Sequence, residues 1–115
     1  MEIKKTKEGS VTILQPIGRI DSNTASDLEN ALLNLLENQE NKIVINLESV
    51  DYISSAGLRI FLMAGKKLKS LEGSFVLANM NEHIKEVFDI SGFTPIFNIV
   101  TDNASAVKEI IDNGW

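Results

Sequence analysis

The 115-residue sequence predicts an α/β fold, with a mixed β-sheet of four to five strands packed against about four α-helices. Three observations support this prediction. Short runs rich in Ile and Val alternate along the chain with longer segments whose apolar residues recur at helical spacing. The run 42–47 shows little alternation of apolar and polar residues, which is typical of a strand buried on both faces of a sheet. Strands that alternate with helices favour a layered α/β architecture.

The first half of the chain predicts two strands, a helix and the buried strand over 42–47. A short strand around 3–7 leads through a glycine turn to a strand over 11–14, and Pro16 indicates a free or bulged edge near its end. A helix is predicted to begin at Asp21 and Ser22, because apolar residues follow at helical spacing. They are Ala25, Leu28, Ala31, Leu32, Leu35 and Leu36.

The second half of the chain predicts three helices and two strands. In chain order they are a helix over 54–71, a strand over 75–77, a helix over 82–90, a strand over 96–100, and a helix from Asp102 or Asn103 to 113–114. Glycines at 73 and 92 follow the first two of these helices, as is common where a helix ends.

Composition excludes several classes of function. The net charge is −5, from 11 basic and 16 acidic residues, so nucleic acid and anionic membrane are not expected as direct ligands. There are no cysteines, which excludes disulfides and thiolate chemistry. No stretch approaches the roughly 20 apolar residues that span a bilayer, and no apolar signal segment follows the charged N-terminus. We expect one cytoplasmic domain over 1–115.

Two serines stand where the strand-like residues give way to the helix over 54–71. The first N–H groups of a helix are unpaired, so a hydroxyl there can cap the helix, and a phosphate there is stabilised. The residues alone leave both interpretations open for Ser54 and Ser55. Leu58 occupies the position where a capping box needs Glu or Gln. Ala56 and Gly57 leave access to Ser55, and a glycine in a first helical turn suggests that something approaches closely.

The predicted helix after the serines carries a second apolar stripe. Ala56, Ile60 and Met63 lie roughly opposite the face formed by Leu58 and Phe61. Two interpretations are possible. Either a neighbouring element covers this stripe in the fold, or the stripe is exposed and forms part of a docking surface, where a flexible Met suits a protein interface. The sequence does not decide between these alternatives. Three lysines farther along, at 66, 67 and 69, indicate a solvated helix face.

Evidence for catalysis is lacking in the sequence. His83 is the single histidine, with no cysteine or second histidine to share a metal. No spacing brings it to Ser55 as a hydrolase would require, and there is no phosphate-binding or dinucleotide-binding glycine motif. We therefore expect a protein that is not an enzyme and that has no cofactor and no metal of its own.

Four short motifs in order carry a resemblance to a known family. They are Gly-Arg-Ile-Asp at 18–21, Ile-Val-Ile-Asn-Leu at 43–47, Ser-Ser-Ala-Gly-Leu at 54–58 and Phe-Asp-Ile-Ser-Gly-Phe at 88–93. Together they resemble STAS domains, and among them the bacterial anti-sigma factor antagonists. The resemblance covers essentially the whole chain and implies a single STAS-type domain.

The resemblance implies a switch controlled by phosphorylation. In such antagonists the unphosphorylated form binds a serine-kinase anti-sigma factor, which uses ATP, and thereby releases the sigma factor. Phosphorylation ends the binding, and a metal-dependent serine phosphatase resets the protein. The acceptor serine lies two residues before the glycine, which favours Ser55 over Ser54. Sporulation-type members have Asp just before the acceptor, where this chain has Ser54. Free single-domain members are typically monomers.

The resemblance also implies a partner-binding surface around this turn and the helix that follows it. Its residues here are Asp21, Ser54, Ala56, Gly57, Arg59, Ile60 and Met63. A phosphate adds about −1.5 to −2 charges at neutral pH, and with Asp21 and Asp51 nearby it would make this surface strongly negative and expel the partner. One alternative is a STAS binding subunit of a transporter or signalling assembly, with Ser55 only a cap. Another is a small enzyme or nucleotide-binding protein that uses the turn as an anion site.

Overall fold

The fold is known from a computed structural model that describes residues 1–112. The strands are β1 Glu2–Glu8, β2 Val11–Ile20, β3 Lys42–Asn46, β4 Val50–Ile53, β5 Ser74–Ala78 and β6 Asn98–Val100. The helices are α1 Ala25–Glu37, α2 Ser55–Ser70, α3 Glu82–Ile90 and α4 Asn103–Asp112, and a short 3₁₀ turn spans Thr94–Ile96.

The strands form one mixed sheet in the order β1-β2-β3-β5-β6. Only β1 and β2 are antiparallel, as the two strands of a hairpin, and the other pairs are parallel. The fourth strand lies off this path and pairs with the far end of β2. The predicted α/β fold with a mixed sheet and four helices is confirmed, with one strand more than expected.

Alternating residues of the central strands build a core on each face of the sheet. Ile43 and Ile45 of β3 pack beneath α1, α2 and α3, and both are fully buried. Val44, between them, faces the other way and packs against Ala106 and Ile110 of α4. The predicted burial of β3 on both faces is therefore confirmed, because helices cover the sheet on its two sides.

The strand β4 is the element that positions the turn serines, and the sequence analysis missed it. It pairs in parallel with the end of β2, in a register that sets Arg19 opposite Tyr52 and Ile20 opposite Ile53. The pairing shifts register between Gly18 and Arg19, which lets β2 leave β3 and continue beside β4.

Two predicted boundaries near this region are wrong. The second strand does not end near Leu14 but continues through Pro16 to Ile20, so Gly18, Arg19 and Ile20 of the Gly-Arg-Ile-Asp motif belong to β2. The first helix begins at Ala25 rather than at Asp21, because a turn over 21–24 precedes it.

The final predicted strand is also shorter than expected. Its predicted first residue, Ile96, belongs instead to the 3₁₀ turn Thr94–Ile96, which has Pro95 in its opening positions, and β6 begins only at Asn98. Proline fixes its own φ and has no N–H to donate to a neighbouring strand, which favours a turn here. The predicted end of the last helix at 113–114 lies outside the described residues.

Candidate functional site

The connection from β4 to α2 holds the two serines in different environments. Ser54 has extended backbone angles, φ −97° and ψ 173°, and its N–H donates to the Ile20 carbonyl at 2.8 Å. Its hydroxyl oxygen is buried and has no hydrogen-bond partner, and it does not cap the helix. Ser55 is the first residue of α2 and is exposed. A second protein can therefore reach Ser55 directly, whereas the Ser54 hydroxyl is enclosed.

Gly57 is buried, and its backbone lies against the strands beneath α2. A Cβ at this position would come within 2.5 Å of Ile20 Cγ2 and 2.9 Å of Ile53 Cγ1. The close approach that this glycine predicted is thus made by the protein's own β2 and β4. Any contribution of Gly57 to a partner surface is indirect: it allows the first turn of α2 to pack closely against β2 and β4.

The Gly-Arg-Ile-Asp motif lies beside the serine turn. The Gly18 N–H donates to the Ser49 carbonyl at 2.9 Å, at the start of the stretch that runs beside β4. Ser54 and Ile20 are joined by a backbone hydrogen bond. Asp21 is the residue after Ile20, and Ser55 is the residue after Ser54. The structure therefore brings Asp21 and Ser55 to the same end of the β2–β4 pair.

The Asp21 carboxylate organises the turn before α1. It accepts hydrogen bonds from the N–H groups of Asn23 at 2.9 Å and Thr24 at 3.2 Å. These bonds, that of Asn23 above all, together with the positive charge of Arg19, hold the pKa of Asp21 below its usual value. The sequence predicted that the first helix begins at Asp21, but the N-cap position of α1 belongs to Thr24. Asp21 instead caps the preceding turn, and its carboxylate is fully charged at neutral pH.

Arg19 and Tyr52 form a pair that the sequence analysis did not identify. The Arg19 guanidinium carbon lies 4.1 Å from the centre of the Tyr52 ring, and Arg19 Nε is 3.6 Å from an Asp21 carboxylate oxygen. Spacing could not reveal this pair, because the two residues meet only through the unpredicted pairing of β2 with β4. The stacking on Tyr52 and the contact with Asp21 fix the Arg19 side chain, so the positive charge of Arg19 and the negative charge of Asp21 lie side by side at the edge of the site.

The remaining predicted partner residues form one stripe along α2. Ala56, Arg59, Ile60 and Met63 follow the spacing i, i+3, i+4, i+7, so they share one helix face. Arg59 is exposed and the other three are partly buried. Ile60 is partly covered by the main core and partly exposed, so it contributes to the packing of the protein and also presents apolar surface available to a partner. Asp51, expected to add negative charge, is exposed on β4.

Residues 1–112 contain neither a candidate metal cluster nor a helix able to cross a membrane. In that range no three His, Cys, Asp or Glu side chains come together as a possible metal site. None of its helices combines the length and the apolar character needed to cross a bilayer. His83 lies exposed in the first turn of α3, on an element that does not carry the serine turn.

Comparisons with known proteins agree on one family. The family model for the STAS domain matches residues 2–106. BtrV of Bordetella bronchiseptica, which carries the name of an anti-sigma factor antagonist, is 39% identical over 89 residues, covering 77% of each chain. The anti-sigma-B factor antagonist of Bacillus subtilis is 34% identical over 91 residues, covering 79% of this chain and 83% of its own.

The fold agrees with that assignment. A crystal structure from Thermotoga maritima, also described as an anti-sigma factor antagonist, superposes with a TM-score of 0.90 at 24% identity and covers 95% of this chain and 94% of its own. At this identity the likeness shows the fold alone, and the family rests on the sequence matches. The chain therefore belongs to the STAS domain family, among the bacterial anti-sigma factor antagonists.

Proposed function

We propose that this protein is an anti-sigma factor antagonist switched by phosphorylation of Ser55. The unphosphorylated form binds a serine-kinase anti-sigma factor in the cytoplasm and frees the sigma factor. The kinase phosphorylates Ser55 with ATP, the complex dissociates, and a metal-dependent serine phosphatase restores the binding form. In this proposal the protein is a ligand and a substrate, while catalysis, ATP and metal belong to its partners. The observation that carries it is the exposed hydroxyl-bearing residue Ser55 at the first position of α2.

The choice of Ser55 rests on access. A kinase must bring the γ-phosphate of ATP to the acceptor oxygen in line, so an enclosed hydroxyl is a poor substrate. The Ser54 oxygen is buried without a partner and would need the first turn of α2 to move before it could react. Ser55 needs no such movement, since it is already exposed.

The environment of Ser55 supports a switch that keeps the fold intact. A phosphate there lies at the positive end of the α2 dipole, which stabilises negative charge by about 0.3–1 kcal/mol at an exposed site. The ionised Asp21 next to the turn adds to the negative charge that a partner would meet. Phosphorylation should thus alter the surface of the protein far more than its stability.

The α2 stripe supports the proposed partner surface. Ile60 and Met63 offer partly exposed apolar area five and eight residues after Ser55 on α2, and Arg59 offers a cation between them and the turn. Apolar residues and Arg are common at the buried centre of protein interfaces. A partner seated on this stripe would bury Ser55 at the edge of the contact, where a phosphate has no counter-charge and is costly to desolvate.

The test is reconstitution with the serine-kinase anti-sigma factor encoded in the same genome. Incubation with ATP followed by mass spectrometry should find phosphate on Ser55. Ser55→Asp should weaken binding at least tenfold in calorimetry, because a buried unpaired carboxylate costs on the order of 2 kcal/mol or more. Ser55→Ala is the matched control and should bind tightly but resist inactivation by ATP.

Other outcomes would point elsewhere. Phosphate on Ser54 alone would overturn the choice of site. If Ser55→Asp binds as tightly as Ser55→Ala, the phosphorylation switch fails and a STAS subunit that binds its transporter or signalling assembly constitutively becomes the better account. Direct binding of nucleotide by the isolated chain would favour an enzyme or a nucleotide-binding protein.

A further inference from the structure

A groove of about 360 Å³ runs between the second half of α2 and the strands at the β6 edge of the sheet. Its floor is aromatic, since the rings of Phe75 and Phe97 lie there with their centres 6.4 Å apart. Leu62 of α2 forms part of one wall, and Ile96 of the 3₁₀ turn lies at the other side with 56% of its surface exposed. The groove is therefore largely apolar and open to solvent.

Gly65 keeps the space above the two rings open. A Cβ on this residue would lie 3.7 Å from Phe75 Cδ2 and 3.8 Å from Phe97 Cε1, which is ordinary van der Waals contact. Even the smallest side chain would thus occupy the groove without any clash. Unlike Gly57, this glycine is not required by the packing of the protein itself. Its lack of a side chain leaves space in the groove for a ligand.

The rim of the groove is positively charged. Lys66 and Lys69 are the charged side chains among the described lining residues, and both are exposed. The Glu109 carboxylate, which accepts a hydrogen bond from the Asn98 amide, lines an adjoining depression rather than the groove. Within residues 1–112, two cations and no carboxylate line the groove, although the chain as a whole has a net charge of −5. Charge complementarity therefore favours an anionic occupant.

We propose that this groove binds a small amphipathic carboxylate, with its alkyl or aryl chain over Phe75 and Phe97 and its charge between Lys66 and Lys69. The volume lies at the lower end of the roughly 300–1,000 Å³ typical of small-molecule sites. A stable protein partner needs about 800 Å² of surface on each side, whereas a groove of about 360 Å³ suits a small molecule. The site is independent of the proposed switch, since Gly65 lies ten residues, or about 15 Å, along α2 from Ser55.

The test uses decanoate as the probe and amide chemical shifts of the ¹⁵N-labelled full chain as the readout. Decanoate should cause saturable shifts centred on Leu62, Gly65 and Phe97. Changing both rim lysines to alanine should lower the affinity about five- to tenfold, since two exposed ion pairs are lost. Lys67→Ala is the matched control: it removes a neighbouring positive charge that does not line the groove, and it should have little effect.

A second variant tests the apolar part of the site. Gly65→Ala should weaken binding while raising the melting temperature, so a loss of affinity cannot be attributed to unfolding. The proposal is overturned if decanoate causes no saturable shift at millimolar concentration, or if its methyl ester binds as tightly as the carboxylate. It is also overturned if an acidic peptide binds more tightly than decanoate with shifts far beyond the groove, which would indicate a protein-docking surface.

Discussion

The N-termini of α2 and α3 have nearly the same backbone conformation but different side-chain contacts. Ser54, before α2, has φ −97° and ψ 173°, and Asn81, before α3, has φ −76° and ψ 173°. The Asn81 side chain accepts from the Ile84 N–H at 2.9 Å and donates to the Val50 carbonyl at 3.0 Å. The Ser54 hydroxyl, by contrast, has no partner.

This difference shows that packing, and not a side-chain cap, stabilises the start of α2. The Ser54 N–H bonds to Ile20, and Gly57 lets the first turn settle onto the strands. The helices α3 and α4, by contrast, are each capped by a side chain. At α4 the Asp102 carboxylate accepts a hydrogen bond from the Ser105 N–H at 2.7 Å. The first N–H groups of α2 thus remain without a side-chain acceptor, so the proposed phosphate on Ser55 would meet no competing group.

The largest effect is expected from Gly57→Ala, which attacks the packing directly. In an ordinary helix this change is stabilising by about 1 kcal/mol. Here the new Cβ would overlap Ile20 at 2.5 Å, and β-branched isoleucines yield little, so we expect a loss of about 1–3 kcal/mol in the free energy of unfolding. Urea denaturation measures it, with Gly65→Ala as the matched control that should stabilise. Equal gains from both alanines would show that packing does not fix the start of α2.

The next effect is expected at α3. Asn81→Ala removes both the cap to Ile84 and the bond to the Val50 carbonyl, and should lower the free energy of unfolding by about 1–2 kcal/mol. Asn81→Asp keeps the acceptor for the Ile84 N–H but loses the donor, so it should lie between alanine and the native protein. An alanine variant as stable as the native protein in urea denaturation would remove the contrast between the two helices.

The sequence was sufficient to predict the layered fold because its signals are local. The helix over 82–90 matches α3 residue for residue, since its apolar spacing, its opening after Asn81 and its closing Ser-Gly all lie within one segment. The turn with Ser55 at the head of a helix was also predictable, from a strand-like run that meets a helical one.

The rest depended on contacts between distant segments. The strand β4 has only four residues and includes the exposed Asp51, so it is too short to show the alternation typical of a strand. Its partner is the end of β2, some thirty residues earlier and beyond the predicted strand over 11–14. The stacking of Arg19 on Tyr52 follows from that pairing. The burial of the Ser54 hydroxyl likewise depends on tertiary packing, and it is what separates the two serines.

A smaller effect is expected from pH at the turn before α1. The pKa of Asp21 is lowered in the folded protein, so its contribution to stability is complete above the unfolded value of about 3.9 and is lost as pH falls through the folded value. Asp21→Asn keeps an acceptor for the N–H groups of Asn23 and Thr24 but has no charge. Its penalty in the free energy of unfolding should be present at pH 7 and should shrink progressively as pH falls below about 3.9, the ordinary pKa of Asp.

The cap on α3 is the control for this pH dependence. The Asn81 side chain does not titrate, so the cost of Asn81→Ala should stay constant across the same range. A penalty for Asp21→Asn that is equal at pH 7 and pH 2.5 would mean that the carboxylate acts only as a hydrogen-bond acceptor and that its charge is irrelevant to the turn.

The smallest effect is expected from Ser54→Ala. A serine at an N-cap usually contributes about 1 kcal/mol, but this hydroxyl caps nothing and is buried without a partner. Removing an unsatisfied buried group is nearly neutral or even stabilising, so the free energy of unfolding should change by less than about 0.5 kcal/mol. A loss of 1 kcal/mol or more in urea denaturation would show that the hydroxyl caps α2 in solution. The first N–H groups of α2 would then already be occupied, and a phosphate on Ser55 would have to displace Ser54 before the helix could stabilise it.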